Sequence, residues 1–135
     1  MEERAFPADE VIALASARSV GKEISYGDKQ TLKVQDLATF DFEGVDIVLS
    51  SPGAKVSAEH SPRAVAAGAI VIDNTSQFRM DPDVPLVVPE VNPQDIHSHR
   101  GIIANPNCST IQMVVALNPL HQTSPIKRIL VSTYQ

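Results

Sequence analysis

The sequence has a single cysteine, no tryptophan, and only two tyrosines and four phenylalanines among its 135 residues. A lone cysteine excludes an internal disulfide and fits a reducing compartment, and it leaves one thiol whose purpose needs an explanation. No apolar stretch approaches the ~20 residues that a bilayer span requires. The acidic N-terminus is followed by no apolar signal segment. We therefore expect a cytoplasmic protein with no membrane partner.

A surplus of basic residues is also lacking. The 11 lysines and arginines against 16 aspartates and glutamates give a net charge of −5, and the cations are scattered along the chain. Because nucleic acid binding needs a concentrated cationic surface, we expect no nucleic-acid partner. His97 and His99 have a spacing that could hold a metal on a strand, but no set of cysteines or carboxylates accompanies them. We interpret them as solvated loop histidines and expect no metal site.

The third absence is the G-x-G-x-x-G phosphate loop, which none of the six glycines forms. Apolar runs otherwise alternate with helical patterns, as in an open, mostly parallel α/β sheet of Rossmann type. Strands are predicted at residues 11–15, 31–34, 45–49, 70–72, 86–88, 102–104 and 129–133. Helices are predicted at residues 56–67, ended by Gly68, and at 109–117, with Pro119 expected to kink or end the second. Residues 1–6 could be the tail of a helix, so the fold is entered one βα unit late.

The most informative segment surrounds the cysteine. A predicted strand ends near Ala104, Asn105 and Pro106 turn the chain, and Asn107 can cap the following helix, with Cys108 in its first turn. Exposed N–H groups and the helix dipole favour a thiolate at that position, which would make a nucleophile. A free cysteine is usually a small buried apolar residue. At this position, where a strand leads into a helix, both interpretations stay open.

Five motifs in order along the chain closely resemble the bacterial aspartate-β-semialdehyde dehydrogenases. They are LASARS at residues 14–19, DNTSQFR at 73–79, VPEVN at 88–92, NPNCSTIQ at 105–112 and VSTYQ at 131–135. Any one of them would be weak, whereas five in order are specific. The resemblance implies an NADP-dependent oxidoreductase that converts L-aspartyl-4-phosphate to L-aspartate 4-semialdehyde, in lysine, threonine and methionine biosynthesis. The small-molecule partners would be an acyl phosphate and inorganic phosphate.

The resemblance also implies roles for individual residues. Cys108 would attack the acyl phosphate, release phosphate and form a thioacyl intermediate. Gln135 would help to orient the substrate. Arg79 would hold the substrate phosphate with its planar guanidinium, and Asn107 would share that phosphate.

The strand predicted at residues 11–15 corresponds to the second strand of a dinucleotide fold, and the residues after it bear on the choice of cofactor. An acidic residue there would bind the 2′-hydroxyl of NAD, whereas an arginine beside serines accommodates the 2′-phosphate of NADP. The chain offers Ser16, Arg18 and Ser19, with no acid among them. We therefore expect NADP as the cofactor.

A second cofactor-binding turn is expected after residues 45–49. The family usually has Ser-Ala-Gly there, and this chain has Ser51, Pro52 and Gly53. Proline removes one backbone donor, which leaves the local contacts in doubt, while Gly53 still permits close approach of a ligand. Ser51 and Gly53 are the predicted cofactor contacts.

The resemblance covers a partial NADP-binding domain, residues 1–105, and the start of a catalytic and dimerisation domain, residues 106–135. The first strand with its phosphate loop, an acid/base histidine and a carboxylate-binding arginine would lie outside it. We therefore expect an internal fragment that is inactive and poorly folded alone, from an enzyme that is a homodimer or homotetramer at full length. Two alternatives are a relative of N-acetyl-glutamyl-phosphate reductase, which the motifs fit less well, and a non-catalytic truncated nucleotide-fold module.

Overall fold

The structure is a computed structural model that describes residues 6–27 and 30–134. The chain divides into two compact units, Met1–Asp41 and Phe42–Gln135, which are described separately. Except for Phe6, the helix tail predicted over residues 1–6 lies outside the described residues.

The first unit is built from two pairs of short strands. They are β1 (Leu14–Ala15), β2 (Glu23–Tyr26), β3 (Gln30–Lys33) and β4 (Gln35–Asp36). β1 and β4 pair in parallel, and β2 and β3 pair antiparallel. Strands were predicted at residues 11–15 and 31–34, so β2 and β4 were not foreseen, and only two residues of the first predicted strand are paired.

Among its described residues, the second unit has a three-stranded parallel sheet, two α-helices and a 3₁₀ helix at Pro93–Ser98. Its elements are β5 (Ile47–Ser50), α1 (Ala54–Ala66), β6 (Ile70–Asp73), β7 (Ile102–Ala104) and α2 (Cys108–Thr123). The strand order is β5-β6-β7, and both ladders are parallel. This confirms the predicted parallel α/β architecture, including the βαβ unit formed by β5, α1 and β6.

α1 packs on the sheet and ends where the sequence predicted. Its Ala64 is buried, and so is Val71 of β6. Gly68 has φ +100, its N–H donates to the Val65 carbonyl, and the Ala69 N–H donates to the Ala64 carbonyl. These two bonds form a Schellman motif, which requires the left-handed conformation that glycine adopts without strain. Gly68 therefore ends α1, and the chain turns directly into β6.

The other face of the sheet is partly open. Ile47 and Leu49 of β5 are 44% and 60% exposed, and Ile72, which pairs with Leu49, is 38% exposed. Near-continuous apolar runs predicted strands covered on both faces. In the described residues, the face that carries these three side chains is not closed over.

Two predicted strands are not formed as such. Residues 86–88 contribute a single parallel bridge between Leu86 and Ala104, because Pro85 and Pro89 on either side have no N–H to extend a ladder. The prediction of a strand at residues 129–133 is wrong. Among the described residues that segment pairs with no strand and is exposed, with Leu130 at 87%.

α2 differs from the prediction at its end, because it runs through Pro119 to Thr123. Proline has no N–H to donate to the Val115 carbonyl, so α2 lacks one internal hydrogen bond at that point. The expectation was that Pro119 kinks or ends this helix; it does not end it, and the kink stays a prediction. In the described part of the chain, no helix combines the length and hydropathy that crossing a bilayer requires.

Gly101, just before β7, should be intolerant of any side chain. Its φ is +105, and an added Cβ would lie 2.9 Å from Cγ2 of Val65 and closer still to Cγ1. Gly101→Ala combines backbone strain with overpacking, so we expect the free energy of unfolding to fall by about 2 to 5 kcal/mol. The fall is measured by urea denaturation of a full-length protein that carries this segment, because the segment alone is expected to be poorly folded.

Gly44→Ala is the matched control. Gly44 has φ +79, yet no atom lies within 4 Å of an added Cβ. The substitution adds strain without a clash, for which we expect a loss of about 1 to 2 kcal/mol. Equal losses for the two variants would contradict the steric role of Val65.

Candidate active site

The carboxyl ends of β5, β6 and β7 carry a row of polar side chains. Ser51 follows β5, Asn74 follows β6 and Asn105 follows β7. The Asn105 Nδ2 donates to the Asn74 Oδ1 at 2.8 Å, and the Asn74 Nδ2 donates to the Ser51 hydroxyl at 3.4 Å. Since parallel sheets bind ligands at this edge, the row marks the candidate active site of the second unit.

Cys108 is the first residue of α2 and lies beside its N-cap. Asn107 is extended, with φ −61 and ψ 145, and its side-chain oxygen accepts from the Ser109 N–H at 3.0 Å. This confirms Asn107 as the cap. The Cys108 thiol is exposed, and its Sγ lies 3.9 Å from the Asn107 Oδ1. In the described part of the chain Cys108 is therefore not a buried apolar residue, while its catalytic role stays a prediction.

Arg79 is half-buried and joins the loop after β6 to the loop after β7. Its Nε donates to the Asn105 carbonyl and its Nη2 to the Asn74 carbonyl, both at 2.9 Å. These bonds use two of the five N–H groups of the guanidinium. The structure thus brings Arg79 against the turn that leads to Cys108, and further donors on the guanidinium can bind an anion there. Phosphate binding by Arg79 stays a prediction.

Gly53 precedes α1 at the same edge. Its φ is +101, a conformation that favours glycine, and an added Cβ would meet no atom within 4 Å. It caps α1 without a side-chain hydrogen bond, so no side chain of the cap covers the first N–H groups of the helix. Ser51 and Gly53 thus flank an open helix N-terminus, and their contacts with a cofactor stay a prediction.

Of the remaining predicted site residues, three belong to the first unit and one is outside the described residues. Ser16 caps the short 3₁₀ helix Ala17–Ser19 in the first unit, directly after β1. Ser16 and Arg18 are exposed, and Ser19 is half-buried, with its N–H donating to the Ser16 carbonyl at 2.8 Å. Gln135 lies outside the described residues. The roles of all four stay predictions.

The described residues hold no group of three or more histidine, cysteine or acidic side chains that could bind a metal ion. Of the two histidines with metal-like spacing, His97 is exposed. His99 is half-buried, and its Nδ1 accepts from the Gly101 N–H at 3.1 Å. His99 is therefore used in a local turn.

The sequence analysis missed a buried polar chain beneath the site. The Asp73 side chain is 0% exposed, and Ser57 and Ser61 of α1 are 1% and 3% exposed. The Ser57 hydroxyl donates to the Asp73 Oδ2, and the hydroxyls of Ser57 and Ser61 lie 2.9 Å apart. Two serines one helical turn apart on the face that packs on the sheet were the available signal.

Comparisons with known proteins are consistent along the whole chain. A family model described as the NAD-binding domain of semialdehyde dehydrogenases matches residues 1–99. The aspartate-semialdehyde dehydrogenase of Legionella pneumophila is 56% identical over 137 residues, which cover 100% of this chain and 39% of that protein. The enzyme of the same name from Aquifex aeolicus is 54% identical over 138 residues, covering 100% of this chain and 40% of that protein. The chain thus spans about two-fifths of the length of the curated relatives it matches.

Two solved structures of aspartate semialdehyde dehydrogenases are also similar to this chain. The crystal structure of aspartate semialdehyde dehydrogenase II from Vibrio cholerae complexed with ASA matches with a TM-score of 0.88 and 53% identity, over 93% of this chain and 41% of that one. The Candida albicans enzyme with NADP matches with a TM-score of 0.68 and 32% identity, over 87% of this chain and 40% of that one.

Replacement of Asn107 by alanine tests the cap of α2. The Ser109 N–H would lose its acceptor, and we expect the free energy of unfolding to fall by about 1 kcal/mol. Asn107→Asp keeps an acceptor and should restore most of the loss. The changes are measured by urea denaturation of a full-length protein that carries this segment.

Asn118→Ala removes the same side chain from the interior of α2 and is the matched control. Alanine favours an interior helical position, so we expect no loss. A loss equal to that of Asn107→Ala would show that the cap contributes nothing specific.

Proposed function

The chain belongs to the semialdehyde dehydrogenase family, and we propose that it supplies the cofactor-binding and nucleophile-bearing part of an aspartate-semialdehyde dehydrogenase. The reaction is the NADP-dependent conversion of L-aspartyl-4-phosphate to L-aspartate 4-semialdehyde, with release of phosphate, on the route to lysine, threonine and methionine. The observation that carries the proposal is the exposed thiol of Cys108 at the N-terminus of α2, at the sheet edge that also holds Arg79.

Cys108 is the proposed nucleophile. Its thiolate attacks the acyl carbon, the new C–S bond forms, and the C–O bond to phosphate breaks, so that a thioester and inorganic phosphate result. Bound NADPH supplies the hydride that reduces this thioester. The C–S bond then breaks, which frees the aldehyde and returns Cys108 as the thiolate. A thiolate suits both ends of the sequence, because it is a strong nucleophile and a competent leaving group.

Arg79 and Asn107 are the proposed phosphate ligands. Carbonyls of Asn74 and Asn105 already fix the guanidinium plane of Arg79, so little ordering is needed when an oxyanion binds to its other N–H groups. The positive charge also favours departure of phosphate from the acyl carbon. Asn107 stands beside the thiol, and Gln135 orients the substrate by resemblance to the family.

The residues present fit a dinucleotide at the edge of the sheet. Gly53 leaves open space in front of the first turn of α1, where N–H groups and the helix dipole favour a phosphate. Ser51 lies beside that turn. Ser16, Arg18 and Ser19 follow β1, and the resemblance assigns them to the 2′-phosphate that distinguishes NADP from NAD. By the same resemblance, the enzyme at full length is a homodimer or a homotetramer.

Cys108→Ser tests the proposed reaction in an enzyme of full family length that carries this segment, here called the complete enzyme. The segment can be exchanged into the Vibrio cholerae enzyme, whose matched residues are 53% identical. We expect the complete enzyme to reduce NADP with aspartate semialdehyde only when phosphate is present. Serine has a similar size but is a poor nucleophile at neutral pH, so kcat should fall by about 10³-fold or more.

Binding of NADP to the serine variant, measured by calorimetry, serves as the control for correct folding. Mass spectrometry of the complete enzyme should find the acyl group on the peptide that contains Cys108. The proposal fails if the serine variant keeps its activity, or if the complete enzyme reduces NADP equally well without phosphate.

Arg18→Ala tests the choice of cofactor in the complete enzyme. Loss of a charged hydrogen bond to the 2′-phosphate costs about 1.5 to 3 kcal/mol, so the KM for NADP should rise about ten- to a hundredfold. The KM for NAD should change by less than about threefold, since NAD has no such phosphate. Steady-state kinetics with both cofactors measure the two values.

Lys33→Ala removes an exposed positive charge from the same unit and is the matched control. We expect it to leave both KM values close to those of the unaltered enzyme. Equal losses for NADP and NAD in Arg18→Ala would rule out the 2′-phosphate role.

A further inference from the structure

We infer that Asp73 is a positioning residue, which fixes Arg79 and the turn before Cys108 through a buried hydrogen-bonded chain that starts inside α1. The inference rests on the proposed function, because it concerns the phosphate-binding geometry of that site. Asp73 is not a catalytic residue in this account, since it is fully buried and acts through the loop that follows it.

The Asp73 carboxylate is fully enclosed and is satisfied by hydrogen bonds instead of a cation. Its Oδ2 accepts from the Ser57 hydroxyl, and its Oδ1 accepts from the Thr75 N–H. The ion pairs found among residues 6–27 and 30–134 do not include it. Burial of a carboxylate is costly unless such bonds are complete, so both bonds constrain the surrounding backbone tightly.

The hydroxyl chain has a fixed direction. Ser57 has one hydroxyl proton, which it donates to Asp73, so the contact of 2.9 Å between Ser57 and Ser61 requires Ser61 to be the donor. The chain therefore runs from Ser61 through Ser57 to Asp73. All three groups are buried between α1 and β6.

The packing of α1 on the sheet does not by itself require these buried hydrogen bonds. Elsewhere in the same layer α1 presents Ala64 and β6 presents Val71, both buried and apolar. Replacement of a buried polar group by well-packed apolar side chains is often neutral or stabilising. The buried hydrogen bonds among Ser61, Ser57 and Asp73 therefore indicate a role besides the packing of α1 on the sheet.

That role is to hold the loop after β6 in place. The bond from the Thr75 N–H to Asp73 closes one turn, and the bond of 3.2 Å from the Gln77 N–H to the Thr75 hydroxyl closes the next. After these two consecutive turns the chain reaches Arg79, whose Nη2 donates to the Asn74 carbonyl at the start of the same loop. The loop is thus anchored at its start by Asp73 and closed at its end by Arg79.

Asp73 also holds the turn before Cys108, in this case through its main-chain carbonyl. The Asp73 carbonyl accepts from the Asn105 N–H at 2.7 Å, and the Arg79 Nε donates to the Asn105 carbonyl. Both peptide groups of Asn105 are therefore held by the Asp73 to Arg79 loop. Asn105 precedes the cap and the thiol by two and three residues. A shift of the loop would move the phosphate-binding arginine and the nucleophile together.

Asp73→Ala in the complete enzyme is the main test. We expect kcat/KM for phosphate to fall by about tenfold or more, because a small misplacement of Arg79 weakens oxyanion binding. The KM for NADP should stay within about twofold. Rates are normalised to the number of sites that bind NADP, counted by calorimetry, so a smaller folded fraction alone would change neither value. An unchanged kcat/KM for phosphate overturns the inference.

Asp73→Asn should restore kcat/KM for phosphate to within about threefold. The amide oxygen can accept from the Thr75 N–H, and the amide nitrogen can donate to Ser57, which then donates to Ser61. The hydroxyl chain reverses and every bond is kept. If this variant is as impaired as Asp73→Ala, the effect depends on charge and the positioning account is wrong.

The double variant of Asp73→Ala with Arg79→Ala decides whether Asp73 acts through Arg79. If it does, the double variant should have the same kcat/KM for phosphate as Arg79→Ala alone, whereas multiplied losses would contradict the inference. Should Asp73→Ala fail to fold, Ser57→Ala removes the hydroxyl that donates to Asp73 and takes its place in both measurements. If the complete enzyme itself shows no phosphate-dependent reduction of NADP, the proposed function fails instead.

Discussion

The parallel ladders of the second unit end at one level, because Ser50 pairs with Asp73 and Asp73 pairs with Ala104. The backbone hydrogen bonds continue one residue further, from the Asn74 N–H to the Ser50 carbonyl and from the Asn105 N–H to the Asp73 carbonyl. Three chain segments therefore leave the sheet in register. This alignment makes neighbours of side chains that are more than twenty residues apart in the sequence, and the chemistry of the edge depends on it.

Beyond the ladder, the loops hold each other through side chains. Carbonyl groups at the exit of β6 and β7 have no further strand to bond in the described part of the chain, and Arg79 supplies the donors for both. The guanidinium therefore has a structural task as well as its proposed task with phosphate. A flexible ammonium on a lysine could not hold two carbonyls in one plane, since its donors have no fixed fork.

The helix ends at Gly68 and Asn107 could be predicted from the sequence. Several contacts between distant segments, such as strand partners and buried side-chain contacts, could not. Gly68 and Asn107 were correctly placed at helix ends, because each forms its cap with residues at most a few positions away. The strand predicted at residues 129–133 failed, since an apolar run becomes a strand only beside a partner. The hairpin of β2 and β3 was missed, although Gly27 stands between its two strands. Asp73 stood out only as part of a motif, because the spacing of Ser57 and Ser61 indicates a polar stripe on α1 but does not identify the strand residue, 16 positions after Ser57, that it meets.

Gly101 packs against Val65 at the end of the sheet opposite to the candidate active site. Gly101 lies against the last turn of α1, and β7 then rises three residues to Ala104, a span of about 10 Å. A methyl group on Gly101 would press on Val65, whereas a glycine fits beside it. The start of β7 therefore packs against α1 at the end of the strand opposite to the segment that leads to Cys108.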